Sequence, residues 1–268
     1  MSSSMAEDNE GGARESRGIQ SIEVGGQLLL ALAHLGRPAP LKDLAREAGM
    51  NGAKAHPYLV SFGKLGLIQQ DPATGFYGLG PLALQLGLIS LQQVDPIRLA
   101  TAELPKLAQA IGHTVGVAIW GNRGPTFVRL EEGPTAVHVN MRHGTVVSVR
   151  GTASGRLFAA FMPREQVLAV LALESEGEAQ VSQRFEAELR RIRERRFCSL
   201  VDGTIKGVTA MSAPVFDGFG KMVLALTTIG PSATLPADED SPAARELARC
   251  AAELSGRLGA RGAEVAAA

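Results

Sequence analysis

The chain has 268 residues, 45% of them hydrophobic, and its 27 Lys and Arg residues balance its 27 Asp and Glu residues. This length and composition are enough to bury one large core or two modest ones. A net charge of zero excludes a uniformly basic coat for non-specific nucleic-acid binding, but it leaves room for a local DNA-binding face. The two cysteines form no disulfide framework and indicate a reducing compartment, so we expect a cytoplasmic location. No apolar run approaches the roughly 20 residues that span a membrane, and no signal peptide is visible.

The N-terminal part of the chain predicts a disordered tail followed by a helix. Residues 1–16 are rich in Ser, Gly and acidic residues, which is typical of a disordered segment. An apolar helix is then predicted from Ile22 to about Leu35, where the sequence Gly-Arg-Pro ends it. We assign residues 17–80 to a DNA-binding domain.

The pattern of residues 38–84 predicts a helix-turn-helix. Leucine and alanine recur at helical spacing over residues 41–48, and Gly49 then permits a tight turn. A second helix is predicted over residues 53–65, with Leu59, Phe62 and Leu65 facing inward. Its other face is small, polar and cationic, which suits a helix that lies in the major groove of DNA.

A β-hairpin is predicted directly after this second helix. Two short runs, residues 67–70 and 76–79, flank a turn with the sequence Asp-Pro-Ala-Thr-Gly. A hairpin at this place is the wing of a winged helix-turn-helix domain, so the segment predicts a protein that finds a DNA site.

The predicted DNA-binding residues lie on the two helices and at the flexible entry to the domain. A lysine on the second helix can reach guanine acceptors or a phosphate, and hydroxyl and imidazole groups can donate to phosphates. The alternative is an ordinary solvated helix face with a half-buried tyrosine. The residues are Lys42, Lys54, His56, Tyr58, Ser61 and Arg17.

Pro57 is unusual inside a predicted helix. A proline in a helix interior lacks a backbone N–H and costs ~3 kcal/mol, unless it lies in the first turn. The helix therefore either begins near Lys54 or is kinked at Pro57.

Residues 81–95 predict a linker helix that is apolar over most of its surface. Leu82, Leu86, Ile89 and Leu91 are too many apolar residues for an isolated, solvated linker. One reading is a helix packed on its own domain, and the other is a helix that also packs on a second subunit.

A second domain is predicted over residues 96–262, followed by a short tail, 263–268. Its helices and strands form an α+β fold with a mostly antiparallel sheet. The helices are predicted at 96–111, 154–161, 163–173, 182–196 and 241–258, and the strands at 114–120, 126–130, 136–141, 208–216 and 221–229.

No catalytic or metal-binding constellation is visible in this second domain. Ser154 lacks the Gly-x-Ser-x-Gly elbow of a nucleophile, and Cys198 has no base nearby. His138 and His143 have no further ligand at a spacing that would complete a metal site. Trp120, the one Trp, either lines a pocket or packs in the core. We therefore predict no enzyme activity, no metal and no cofactor.

Four segments resemble the IclR family of bacterial transcriptional regulators, and together they cover nearly the whole chain from about residue 18 to 258. They are GGQLLLALAHLGRPAPLKDLAREAGM, AKAHPYLVSFGKLGLIQQDPATGFYGLGPLALQLG, GTASGRLFAAFMP and GVTAMSAPVFDGFGKMVLALTTIGP. The resemblance implies a winged-helix domain, a GAF-like effector-binding domain, and assembly as a homodimer or a dimer of dimers.

The same resemblance places the effector site on a concave face of the second domain. The start of the helix near Ser154 either offers free backbone donors to a ligand or is simply capped by Thr152 or Ser154. Free donors there, with hydroxyls from nearby threonines, suit a small carboxylate with an apolar or aromatic body. The expected residues are Thr152, Ala153, Ser154, Gly155, Asp202, Thr204, Ala210, Thr227 and Ile229.

We therefore expect a transcriptional regulator that binds a double-stranded DNA operator, responds to a small organic effector and has no membrane partner. An enzyme, or a ligand-free interaction module, fused to a winged-helix domain is the alternative.

Overall fold

The computed structural model of the protein describes residues 18–134, 141–174 and 181–260. These residues form two compact units that divide between Gln93 and Val94. No helix in the described part of the chain is both long enough and apolar enough to cross a membrane. Arg17 and both predicted tails lie outside the described residues, and the exact domain limits assigned above stay predictions.

The N-terminal unit is a winged helix-turn-helix followed by one more helix. Its elements are α1 (Gln20–Leu35), α2 (Leu41–Glu47), α3 (Gly52–Lys64), β1 (Ile68–Gln70), β2 (Tyr77–Leu79) and α4 (Pro81–Gln93).

Helices α1, α2 and α3 pack around one small core. Leu28, Leu44 and Leu59 are each almost completely buried in it. The helices approach closely because Gly25 has no side chain: a Cβ there would lie 2.8 Å from the ring of Tyr58. The expectation that Leu65 faces inward is wrong, since this residue lies just beyond the end of α3 and is 60% exposed.

The start of α3 is fixed by a side-chain cap. The Asn51 side chain accepts a hydrogen bond from the amide of Lys54 at 2.8 Å, and the helix begins at Gly52. Pro57 is therefore in the second turn of a helix that continues to Lys64. The alternative in which the helix begins near Lys54 is wrong, and the Ala53 carbonyl lacks the N–H that a helix normally supplies at position 57.

The predicted wing is present and is attached to the helical core. Strands β1 and β2 are antiparallel, with Gln70 opposite Tyr77. Ala39 and Tyr77 exchange two backbone hydrogen bonds, of 3.0 and 2.9 Å, so the chain before α2 pairs with the outer strand. This pairing holds the hairpin beside α2 and α3.

The C-terminal unit is an α+β domain, as predicted. Its elements are α5 (Pro96–Ile111), β3 (Thr114–Gly121), β4 (Gly124–Glu131), α6 (Ala153–Phe161), α7 (Arg164–Glu174), α8 (Gln183–Arg195), β5 (Cys198–Val201), β6 (Val208–Phe216), β7 (Met222–Pro231) and α9 (Pro242–Arg257).

Within the described residues, five antiparallel strands form the sheet in the order β4-β3-β7-β6-β5. Helices α5 and α9 pack on one face, and α6, α7 and α8 pack on the other. Strand β5 was not predicted. The predicted strand at 136–141 falls outside the described residues except for Met141, which is not in a strand.

Successive side chains of the central strands face opposite sides of the sheet, and this alternation decides which of them can line a site. On β7, Leu224 and Leu226 face α5 and α9, whereas Ala225 and Ile229 face α6. Pairing between strands then aligns side chains across the sheet, so that Ala210 of β6 lies opposite Ile229. The α6 face of the sheet is the concave wall described below.

Candidate DNA-binding surface and effector cavity

The predicted DNA-binding residues that the structure describes lie on the outer sides of α2 and α3. Lys42, Lys54, His56 and Ser61 are exposed. Tyr58 is half-buried and packs against Gly25, so its ring belongs partly to the core. The structure therefore presents the four polar residues together and supports a structural role for the tyrosine.

Charge on this surface is positive where the helices face outward. Arg46 pairs with Asp43 at 3.1 Å, which neutralises that part of α2. Lys42, Lys54 and Lys64 have no ion pair with any described residue. These three ammonium groups are therefore available to DNA phosphates.

The turn of the wing, in contrast, is negatively charged. The Asp71 carboxylate accepts hydrogen bonds from the Ala73 amide at 2.8 Å and from the Thr74 hydroxyl at 2.9 Å. These bonds, the Ala73 bond first, hold the pKa of Asp71 below its ordinary value. The turn at 71–75 carries this negative charge and no cation, so it offers nothing to attract a phosphate.

A cavity opens on the α6 face of the C-terminal sheet. It lies between the start of α6, the ends of β5, β6 and β7, and the loop that follows β5. Seven of the nine residues predicted for the effector site line it: Thr152, Ala153, Ser154, Thr204, Ala210, Thr227 and Ile229.

The other two predicted residues do not line the cavity. A Cβ on Gly155 would lie 2.1 Å from the carbonyl oxygen of Ser148, so this glycine lets α6 pack directly on the loop at 148–149. Asp202 is exposed, has a left-handed backbone, and accepts a hydrogen bond from the Gly207 amide at 2.6 Å. Its carboxylate thus closes the β5–β6 loop and does not face the cavity.

Three buried hydroxyl groups form a chain at the wall of the cavity. The Thr227 hydroxyl lies 2.9 Å from that of Ser154 and 2.7 Å from that of Ser212. Ser212 can also donate to the Leu226 carbonyl at 3.3 Å. Each of the first two bonds can run in either direction, so the Ser154 end can offer a ligand a donor or an acceptor.

The first turn of α6 supplies backbone donors at the same wall. The Thr152 hydroxyl caps the Gly155 amide at 3.0 Å, and the Thr152 carbonyl accepts from the Arg156 amide. The amides of Ala153 and Ser154 have no acceptor among the described residues. They lie at the positive end of the helix dipole, where an anion is favoured.

Sequence reasoning missed the apolar part of the lining. It consists of Phe127, Met141, Val147, Leu200, Ile205 and Val208. The alternation of Val208, Ala210 and Ser212 along β6 is the signal that could have revealed part of this wall, because every second residue of a strand faces the same side. Trp120 packs near Phe158, with ring centroids 5.9 Å apart, and is not in the lining.

The nucleophile candidates have structural roles. Burial raises the pKa of the Cys198 thiol to about 12, which removes its reactivity as a thiolate. The Ser154 hydroxyl is bonded to Thr227, with no imidazole or carboxylate among its partners in the described structure. The described residues also include no group of three His, Cys, Asp or Glu side chains that could hold a metal.

Comparison with known proteins places both units in one family. The model of the IclR helix-turn-helix domain matches residues 21–72, and that of the bacterial transcriptional regulator IclR C-terminal domain matches residues 89–256. A glycerol operon regulatory protein of Streptomyces griseus is 30% identical over 256 residues, which cover 91% of this chain and 98% of that protein.

Solved structures agree with this placement. A crystal structure of Pseudomonas aeruginosa HmgR has a TM-score of 0.84 and 36% identity, over 91% of this chain and 100% of that one. The Agobacterium tumefaciens repressor BlcR, at 19% identity and a TM-score of 0.68, shares the fold over 91% of this chain and 100% of its own. The chain belongs to the IclR family of bacterial transcriptional regulators, with a DNA-binding helix-turn-helix domain and a C-terminal effector-binding domain, and is not an enzyme.

Proposed function

We propose that this regulator binds its operator as a homodimer, or as a dimer of dimers, and that its effector is a small carboxylate with an apolar or aromatic body. It acts in the cytoplasm, where its DNA lies. The effector occupies the α6-side cavity of the C-terminal unit. The observation that carries this proposal is that the cavity lining is largely apolar and includes Ala153 and Ser154, whose backbone amides have no acceptor among the described residues.

The lining favours an apolar body for the ligand. Phe127, Leu200 and Ile229 supply apolar surface, and no described lining residue carries a charge. Burial of an apolar ligand surface there is favourable by about 25 cal/mol per Å². A polyol such as glycerol would place several hydroxyls against hydrocarbon with few partners, which is costly.

A carboxylate fits the one polar corner of the cavity. The Ala153 and Ser154 amides and the Ser154 hydroxyl can all donate there. Because charge-assisted hydrogen bonds are the strong ones, these donors can offset the cost of removing the anion from water. Asp202 does not repel the ligand, since its carboxylate is exposed and bonded to Gly207.

Calorimetry tests the ligand class directly. The full chain is titrated with small aromatic and aliphatic carboxylates, with the matched primary amides, and with glycerol and an alkyl amine. We expect binding by carboxylates and loss of at least tenfold in affinity for the amides. Ala210→Leu, which fills the cavity, should abolish binding, whereas Thr209→Val on the opposite face of β6 should not. Binding only by glycerol or the amine would contradict the carboxylate proposal.

The subunit contact is proposed for α4. No residue of this helix is buried in the described chain. Leu84, Leu86, Leu88, Ile89 and Leu91 are each at least 42% exposed, whereas Leu82 packs near Gly66 of its own unit. Packing on its own domain therefore leaves most of this apolar surface in water, and a second copy of α4 would cover it.

Dimerisation also supplies contacts with DNA that a single recognition helix lacks. Two helices placed on half-sites one helical turn apart, or a multiple of it, roughly double the contacts with DNA. Light scattering at micromolar concentration should give a dimer or a tetramer. A monomer under those conditions would refute the proposal.

A further inference from the structure

The outward face of α3 is apolar at its centre. Residues 53, 57, 60 and 64 are spaced by four, three and four, so they fall on one line along the helix. All four are exposed, and the first three are Ala53, Pro57 and Val60. Val60 is 44% exposed, so it adds apolar surface that a partner can contact.

Cations flank this apolar centre on the same helix. Lys54 lies beside Ala53 near the start of α3, and Lys64 ends the line. Neither lysine has an ion pair among the described residues. The surface therefore combines positive charge at its edges with hydrocarbon in the middle, which matches phosphates on either side of a base edge.

Hydrogen-bond donors are scarce at this centre. Pro57 has no N–H, and neither its ring nor the side chain of Val60 can donate or accept. The hydroxyl of Ser61 donates to the Pro57 carbonyl at 3.0 Å, so its proton is used within the helix. Direct readout by Pro57 and Val60 must then come from apolar contact rather than from hydrogen bonds.

We propose that Pro57 and Val60 read thymine 5-methyl groups in each operator half-site, while the flanking lysines contact phosphates. The 5-methyl group of thymine is the apolar feature of the base edges in the major groove, and apolar side chains contact it. This inference rests on the proposal that α3 binds the operator. It also gives a function to an exposed proline that a helix interior disfavours.

Substitution of thymine by uracil tests this contact because it removes one methyl group and leaves base pairing intact. An operator is first selected from random double-stranded DNA with the full chain, and the protected half-site is mapped by footprinting. Each thymine of the half-site is then replaced by uracil in turn. We expect at least one position to lose about fourfold in affinity per methyl, whereas positions outside the footprint should show no change.

Two variants assign the methyl contact to its residues. Val60→Ala should leave α3 intact, because alanine is a good helix former. In this variant, the ratio of the affinity for the thymine operator to that for the uracil operator should fall toward one at a single position. Pro57→Ala should do the same at a neighbouring position. Val201→Ala is the matched control, since Val201 is 43% exposed and lies in the C-terminal unit; it should leave every ratio unchanged.

The possible outcomes distinguish a failure of the methyl readout from a failure of the proposed DNA-binding mode. If no operator is selected and no sequence-specific binding is found, the proposed DNA-binding mode fails. If an operator binds tightly but every uracil substitution in the half-site is neutral, the methyl readout alone is overturned. Methyl sensitivity that persists unchanged in both variants would also overturn it.

Discussion

The buried hydroxyl chain makes a sharp prediction for Thr227→Val. This substitution keeps the shape of the side chain and removes the hydroxyl that joins Ser154 to Ser212. Ser212 can still donate to the Leu226 carbonyl. Ser154, which is 2% exposed, has no other side-chain hydrogen bond among the described residues and becomes an unsatisfied buried hydroxyl.

The magnitude follows from the cost of that unsatisfied group. Leaving a buried polar group without a partner costs about 1–3 kcal/mol, whereas a single net hydrogen bond contributes only about 1 kcal/mol. We therefore expect Thr227→Val to lower the free energy of unfolding by about 1–3 kcal/mol. Adding Ser154→Ala should cost little more, because it removes the group that had lost its partner.

Urea unfolding followed by tryptophan fluorescence is the assay. Trp120 is the one Trp of the chain and belongs to the C-terminal unit, so the signal reports that unit. Thr228→Val is the matched control, because the Thr228 hydroxyl donates to the Thr114 carbonyl and shares no partner with Ser154. Its effect should add to that of Ser154→Ala within about 0.5 kcal/mol.

Two results would refute this reasoning. The first is a Thr227→Val protein as stable as wild type. The second is strict additivity of Thr227→Val and Ser154→Ala, since two hydroxyls that share a hydrogen bond must show a coupling energy in a double-mutant cycle.

Four further predictions concern the N-terminal unit. Leu86→Asp should give a monomer by light scattering with an unchanged melting temperature; a destabilised dimer would instead place Leu86 inside its own domain. Lys42→Ala should reduce the slope of log K against log salt by about one, uniformly across sequences, and an unchanged slope would exclude a phosphate contact. Pro57→Ala should raise the melting temperature, because an exposed interior position of a helix favours Ala over Pro by ~3 kcal/mol; a lower value would contradict the placement of Pro57. Asp71→Asn should lower the melting temperature at neutral pH, and this difference should vanish in acid. A carboxylate whose pKa is lowered in the folded state stabilises the fold above about pH 4, the ordinary carboxyl pKa, and this stabilisation is lost as pH falls through the lowered pKa. A difference that does not change with pH would exclude the charge of Asp71 as its cause.

Sequence alone determined the local elements of this protein. Helical spacing at 41–48, the hairpin turn after α3 and the strand pattern of β6 and β7 follow from interactions between near neighbours, which periodicity records directly. Seven of the nine residues predicted for the effector site line the cavity. Six of them lie in the segments that carry the resemblance to the IclR family, which include the start of α6 and the strands β6 and β7.

Only the tertiary structure decided which side chains meet. Strand β5 is four residues long and too short to show a period, yet pairing with β6 brings Leu200 opposite Ala210 in the cavity wall. The Asn51 cap, which the helical pattern did not reveal, moved Pro57 into the second turn of α3. Asp202 turns to the Gly207 amide and leaves the cavity. Contacts between residues far apart in sequence depend on strand register and on chain direction at turns, and a single residue pattern does not encode either.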